Sequence, residues 1–457
     1  MIVRGLAIAF VATASLWFGA APARADDATP APSPASGDSL LNEYVRGMRD
    51  STDKWFGTTA APVDTAGLDS ALAAGLLHGV HGRGNRGKKK LSFDWGPALG
   101  FNRADGAQLG ASVTLGTRWL SGLSGRLQYT TGTHDYLGEG GWAHSWRVDA
   151  LRSRLGLKLA AGRYTTAFDR DYYEPILTSL NAFFVGEDRH HYLRRDGFVS
   201  SLRLSAEPWF ALAGWRDQLE SSLPYTTSWY VFGHGPELPF NDSATFGRVR
   251  ELSLGGEVPV PRTRFRVNAM HWTSDPRMGS DMLFHRTRVS AGGDVSLGRH
   301  FSLVPQATYG VLRGETPPQE AFFLGGVANL RTLKRNELAG AGRAYGRVDL
   351  IVVDDIGKAL HLPIPARLPL QFGTFAGSGA VWGRDPVTGD ATQTTRLTPN
   401  RDEFLSEVGV GLMMRLGIPN PLTSMRFEVA FPIGPDGRQG ASYALAYQEP
   451  LNLLPGR

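Results

Sequence analysis

The chain has 457 residues, a formal net charge of +5 and no cysteine. That excludes a disulfide framework, a cysteine nucleophile, a thiolate metal site and a lipid-anchored N-terminal cysteine. Charged residues make up 20% and aromatic residues 10%, with 56 glycines against 28 prolines; this mixture is too apolar for disorder and too irregular for collagen, so a folded, β-rich body is expected.

Residues 1–25 place Arg4 before an apolar run from Leu6 to Ala20, then Ala23 and Ala25 around Arg24. This is the pattern of a secretory signal peptide cleaved before Asp26, with an apolar run too short for a spanning helix. Residues 26–90 read as a periplasmic linker with short helices. The segment opens on DDATPAPSPASGD, a Pro/Ala/Ser spacer. Leu40, Leu41, Tyr44, Val45 and Met48 then share one helical face, and Leu68, Leu72 and Leu76 stand four apart. These helices would either plug a larger body or form a loosely held leader. The segment ends in RGNRGKKK, Arg83 to Lys90, a cationic cluster suited to lipid headgroups or to a solvated linker.

After Leu91 the apolar period becomes two. Leu91, Phe93, Trp95, Pro97, Leu99 and Phe101 oppose Ser92, Asp94, Gly96, Ala98, Gly100 and Asn102. The same alternation runs from Arg286 to Leu297 and from Leu405 to Leu416. Runs of about 10 to 12 residues suit a tilted strand crossing a bilayer, and a closed sheet pairs every backbone group within lipid. The expected fold is all-β, a transmembrane antiparallel β-barrel of about 16 strands over residues 91–457 with a short helical N-terminal leader. The strands are expected to begin near Leu91, Ala107, Gly125, His144, Arg154, Gly197, Trp209, Val249, Arg264, Arg286, Phe301, Arg343, Leu368, Leu405, Met425 and Gly440. A charge on the lipid face costs about 2–4 kcal/mol at the midplane, so Arg286, Arg288, Glu407 and Arg415 are assigned to the lumen. Long connections follow odd strands and short ones follow even strands, which sets both barrel termini in the periplasm and the barrel in a bacterial outer membrane.

The last strand, RQGASYALAY, carries Arg438, Gly440, Tyr443 and Leu445 in the polar-x-Gly-x-x-aromatic-x-apolar order of terminal outer-membrane strands, although Gln448 to Arg457 continue past it. The most specific segment is Phe323 to Asp349, in the connection after the eleventh strand. With Leu324, Gly325 and Gly326, then Leu330 and Arg331, it resembles the sixth outer loop of the BamA/TamA surface-antigen superfamily of assembly and translocation barrels. Thr332 and Leu333 replace that motif's usual Gly and aromatic residue.

The resemblance implies that this loop folds into the lumen and docks Arg331 on an inner wall formed by Gly346 and Asp349 and by Phe375 and Gly379. Gly377 stands where the second motif has Asp, which leaves Asp349 as the arginine's partner. It also implies a weak seam between the first and last strands that opens to template an incoming strand. Pro97 would weaken that seam or mark a bulge. The upstream substrate-binding modules of the large members have no counterpart in residues 26–90.

The partners implied are outer-membrane lipid and lipopolysaccharide, unfolded outer-membrane protein clients and a periplasmic accessory protein, with no nucleic acid, since the cations are dispersed. A passive pore or surface adhesin uses the same barrel and stays open as the alternative. Enzymatic chemistry would have to use His190 and His191 beside Glu187 and Asp188, or His134 with Asp135. Adjacent strand histidines point to opposite faces, and no HExxH, GxSxG or phosphate loop is present, so no catalytic residue, metal or cofactor is expected.

Overall fold

The computed structural model describes residues 91–448 other than 118–121, 149–152, 170–178, 180–181, 185–187, 207–208, 224–226, 228, 231–232, 235–240, 242, 327–328, 362–368, 384–395, 416–423 and 435–439. The expected signal peptide, linker, helices and cationic cluster, and Arg438, lie outside the described residues.

The principal strands are β1 (Leu91–Asn102), β2 (Gly106–Thr117), β3 (Leu123–Thr130), β4 (Asp135–Val148), β5 (Ser153–Ala167), β6 (Tyr192–Ala206), β7 (Trp209–Ser222) and β8 (Gly247–Pro259). They continue with β9 (Arg266–Ser274), β10 (Phe284–Gly292), β11 (Phe301–Gly314), β12 (Gly342–Val352), β13 (Leu370–Trp382), β14 (Leu405–Arg415), β15 (Ser424–Ile433) and β16 (Ser442–Gln448). Each pairs antiparallel with the next, from β1 with β2 through to β15 with β16. A short piece, Val295–Leu297, extends β10 along β11. The ladder is interrupted at Gly293 and Asp294, beside Pro305 of β11, which has no N–H to donate. Pairing between β1 and β16 is not among the described backbone bonds.

The expected starts fall on or beside these strands, with one clear displacement. β4 begins at Asp135 rather than near His144. Gly138, Gly140 and Gly141 give its first half a loop-like composition, yet they pair in register with Leu127, Gly125 and Ser124. β5 and β6 likewise run further into the expected long connection, to Ala167 and from Tyr192.

Unbroken register fixes which side chains share a face, and burial on the two faces is inverted relative to a water-soluble sheet. Phe93, Trp95 and Leu99 of β1 are 60%, 66% and 68% exposed, whereas Arg286, Arg288 and Glu407 are 2%, 2% and 1% exposed. The apolar residues Leu252, Leu254, Val258, Val410, Leu412, Phe427 and Phe431 also lie on the exposed face. The side chain of Arg415 is outside the described residues. Near the connections that follow even strands the exposed face carries Trp95, Trp146, Trp209 and Phe301, and at the opposite edge Tyr136 and Tyr443. The expected alternation of connection length holds only in part, since those after β1 and β3 are the short turns 103–105 and 131–134, and that after β12 is the long segment 353–369. Among the described residues, no helix is long and apolar enough to cross a membrane.

Candidate functional site

The connection between β11 and β12, residues 315–341, is folded against the enclosed face. A 3₁₀ turn at Pro318–Glu320 leads into a two-strand hairpin, Phe322–Leu324 with Leu338–Gly340. Phe322 packs with Val249, Phe284 and Leu312 of the wall and with Met282 of the β9–β10 connection, and Phe323 with Phe168, Leu193 and Ala244. Leu324, Leu330 and Leu333 gather on Tyr345. Gly325 and Gly326 adopt φ of 122° and 90°, the left-handed region in which glycine is favoured. A Cβ on Gly325 would also stand 2.1 Å from the Lys334 carbonyl oxygen. The Leu-Gly-Gly motif is therefore the elbow that turns the hairpin tip back on itself.

Two sets of polar contacts tie the loop to the wall. At its first end, Glu320 accepts from Arg216 of β7 at 3.2 Å, and Arg216 also reaches Glu220 at 2.8 Å and Glu251 at 2.7 Å. Arg195 of β6 donates to Glu220 at 2.9 Å. Gln319 donates to Glu220 at 3.1 Å and to the Thr245 carbonyl at 2.9 Å.

At the second end, Arg331 Nε donates to Glu428 of β15, and its Nη1 lies 3.8 Å from Glu407 of β14. Thr332 donates to Glu407 through its N–H at 2.9 Å and its hydroxyl at 3.1 Å. Glu428 also accepts from Arg347 of β12 at 2.6 Å, while Asp349 takes Arg347 at 2.6 Å and Arg426 at 3.1 Å. The guanidinium groups of Arg347 and Arg331 lie 3.9 and 5.1 Å from the Phe375 ring centre. Ser442 of β16 donates to the Arg331 carbonyl at 2.7 Å, so the loop motif touches the last strand directly.

These contacts correct the expected docking in two respects. The carboxylate that takes Arg331 is Glu428, whereas Asp349 is engaged by Arg347 and Arg426. Gly346 pairs with Ala307 and Ser378 on the outer face and does not belong to the inner wall. Phe375 and Gly379 do face the loop; a Cβ on Gly379 would lie 3.1 Å from Leu324 Cδ1. Where Gly377 replaces the expected Asp, the acid comes from the next strand, because Gly377 is paired with Glu407.

Pro97 lies on the exposed face in unbroken register with Ala111, so it marks no bulge. Gly440 has φ of 97°, and Tyr443 is exposed. Leu445 pairs with Phe427, and its side chain is outside the described residues.

The histidines tie connections together. His190 Nδ1 is 3.2 Å from Asp188, and Tyr192 donates its hydroxyl to the same carboxylate at 2.9 Å. Arg103, in the β1–β2 turn, donates its N–H to Asp188 at 3.1 Å and its guanidinium to the His190 carbonyl at 2.8 Å. Arg103 also lies 3.2 Å from His191 Nδ1. Burial and the Arg103 charge push His191 down to about 3, keeping it neutral near pH 7. Burial raises the Asp188 carboxyl, but His190 and Arg103 outweigh it and hold it below its ordinary value. His134 contacts the Tyr129 hydroxyl at 3.0 Å, and Asp135 lies 3.4 Å from Arg163. Glu187 is outside the described residues. Among the described residues, no three His, Asp or Glu side chains gather where they could hold a metal ion.

No protein-family model matches the chain, and no curated protein matches it. Among solved structures, CdiB from Escherichia coli aligns at 12% identity over 79% of this chain and 63% of that one, with a TM-score of 0.40. CdiB from Acinetobacter baumannii aligns at 10% identity over 78% of this chain and 59% of that one, with a TM-score of 0.37. The outer membrane protein OprD from Pseudomonas aeruginosa aligns at 11% identity over 78% and 91% of the two chains, with a TM-score of 0.29. The chain therefore spans less than two thirds of the length of either CdiB protein. Its own strands define an all-β protein built on one antiparallel sheet, with a polar enclosed face, an apolar outer face and an inward-docked loop.

Proposed function

We propose that this chain is an exported outer-membrane β-barrel of the assembly and translocation class, similar to the BamA/TamA superfamily, which aids insertion or translocation of proteins by opening the seam between β1 and β16. In this reading β1 and β16 close the barrel, both of its termini are periplasmic, and its surroundings are outer-membrane lipid and lipopolysaccharide. Unfolded outer-membrane proteins are its clients, a periplasmic accessory protein supplies the capture step, and the chain has no enzymatic role. The observation that carries the reading is the docked loop. An open pore needs a clear lumen, whereas residues 315–341 are fixed to β7 at one end and to β14, β15 and β16 at the other. The inverted burial and the aromatic residues near both ends support a sheet that stands in lipid.

The test is reconstitution of the full chain in liposomes with an unfolded outer-membrane protein as client. Wild type is expected to accelerate client insertion, and Arg331→Ala to lose that acceleration. A wild-type protein that conducts ions steadily and leaves insertion unchanged would establish the passive pore instead. The membrane placement has its own check, because Leu99→Arg sets a charge on the exposed face. It should cost up to about 2–4 kcal/mol, according to depth, read as a lower denaturant midpoint in lipid with little change in detergent.

A further inference from the structure

The two ends of β1 are held very differently. β1 and β2 meet in the turn Arg103 to Asp105, and connections of this kind ordinarily lie at the surface, where water satisfies their backbone. Here Arg103, Ala104 and Asp105 are each 0% exposed, and their backbone groups find protein partners instead. The Arg103 N–H goes to the Asp188 carboxylate at 3.1 Å, and the Arg103 carbonyl accepts the Thr227 N–H at 2.7 Å. The N–H groups of Ala104 and Asp105 go to the Asn102 side chain at 2.9 and 2.7 Å, and the Asp105 carbonyl accepts the Gly132 N–H at 2.7 Å. The Asp105 carboxylate takes Arg194 of β6 at 3.0 Å, and Ala104 packs among Ala167, Tyr192 and Leu223.

The turn is gripped by two long connections, through Asp188 from that between β5 and β6 and through Thr227 from that between β7 and β8. Asn241 binds these connections together: it accepts the Tyr192 N–H at 2.6 Å and donates to the Tyr192 and Leu223 carbonyls at 2.7 and 2.6 Å. On the outward face Phe101 continues the row of Phe93, Trp95 and Leu99, yet it is buried, because the Phe183 and Trp229 rings stand 5.4 and 6.0 Å from its own. Toward Leu91 the grip is weaker. The described backbone bonds of β1 run to β2 alone, Pro97 has no N–H for a ladder, and Gly96 and Gly100 on either side of it have no side chain to pack, a composition that weakens a strand.

We infer that the buried turn is a fixed pivot, so that β1 opens from its Leu91 end while its Asn102 end stays clamped. Opening at the Asn102 end would strip Arg103, Asp105, Asp188 and Arg194 of one another, and buried charged groups without partners are costly. Opening at the Leu91 end breaks none of those contacts. A strand freed there offers its edge first near Leu91 to Trp95, and pairing with an incoming strand then runs from there toward Leu99. The inference rests on the proposed seam opening and deepens it by naming the strand end that moves.

The experiment is hydrogen exchange, read by mass spectrometry on the full chain in liposomes, alone and while an unfolded outer-membrane protein inserts. Residues 91–97 are expected to exchange about tenfold or more faster than residues 99–106, and the client should alter exchange only in the former. Arg103→Ala should release the clamp and bring residues 99–106 to within about threefold of residues 91–97. Equal mobility of wild type and variant on unheated gels establishes that the barrel is intact, and Asp188→Asn gives a milder release should Arg103→Ala not fold. Equal exchange at the two ends of wild-type β1, an unchanged difference in the folded variants, or faster exchange at residues 99–106 while the client inserts overturns the inference. A difference between the ends without client insertion would sink the assembly reading and leave the pivot standing, whereas insertion without that difference would do the reverse.

Discussion

Glu428→Gln is expected to free the hairpin tip of the long loop and to destabilise the wall around it. Glu428 sits between Arg331 of the loop and Arg347 of β12, with Arg426 3.6 Å away. Removing its charge leaves those guanidinium groups with only Asp349 and Glu407 as carboxylates of the cluster, inside an enclosure that water enters poorly. Breaking a buried ion pair by deleting one member costs about 3–5 kcal/mol, because the surviving charge stays desolvated. The loss should appear as a lower denaturant midpoint and as new tryptic cleavage at Arg331, Lys334 or Arg335. Adding Arg331→Met should recover part of the stability, since the cation left behind is removed together with its desolvation cost. A combined effect equal to the sum of the single effects would show that Arg331 and Glu428 are not coupled, and would refute the docking geometry.

That pair also shows where the sequence was legible. Alternation revealed the strands because each has one apolar face and one mixed face, and this period survives even where glycines hide a strand's beginning, as at β4. The Leu-Gly-Gly elbow and Arg331 were legible through the resemblance, since an elbow requires glycine at fixed places. The arginine's partner was not, because the motif places its acid at position 377, where this chain has Gly. The signal lay one step away: in Met425 to Phe431 the apolar positions Phe427, Val429 and Phe431 alternate with Arg426 and Glu428, which places that carboxylate on the lumen side. The first anchor carried less signal. Arg216, Gln218 and Glu220 share a face of β7, but Gln319 and Glu320 come from a non-periodic loop, and only the folded chain brings them to that strand.

The second large effect is expected at this first anchor. Arg216 contacts Glu220 on its own strand, Glu251 on β8 and Glu320 of the loop. Arg216→Met keeps much of the side-chain bulk and removes the charge that holds the carboxylates together. Glu220 retains Arg195 and Gln319, and Glu251 and Glu320 lose the same shared cation, with a cost of about 3–5 kcal/mol. The loop should loosen at residues 319–320 while its Arg331 end stays docked. Hydrogen exchange would then rise around Ala321 and Phe322 and stay low at Leu330 and Leu333. In the proposed barrel either anchor alone holds the loop inside, so single variants should remain closed to ions in planar bilayers. Arg216→Met combined with Glu428→Gln should conduct, since neither end is then tied and the loop no longer fills the lumen. Steady conductance from Arg216→Met alone would mean that the Arg331 anchor cannot close the barrel unaided, and the loop would then be a plug with one point of attachment.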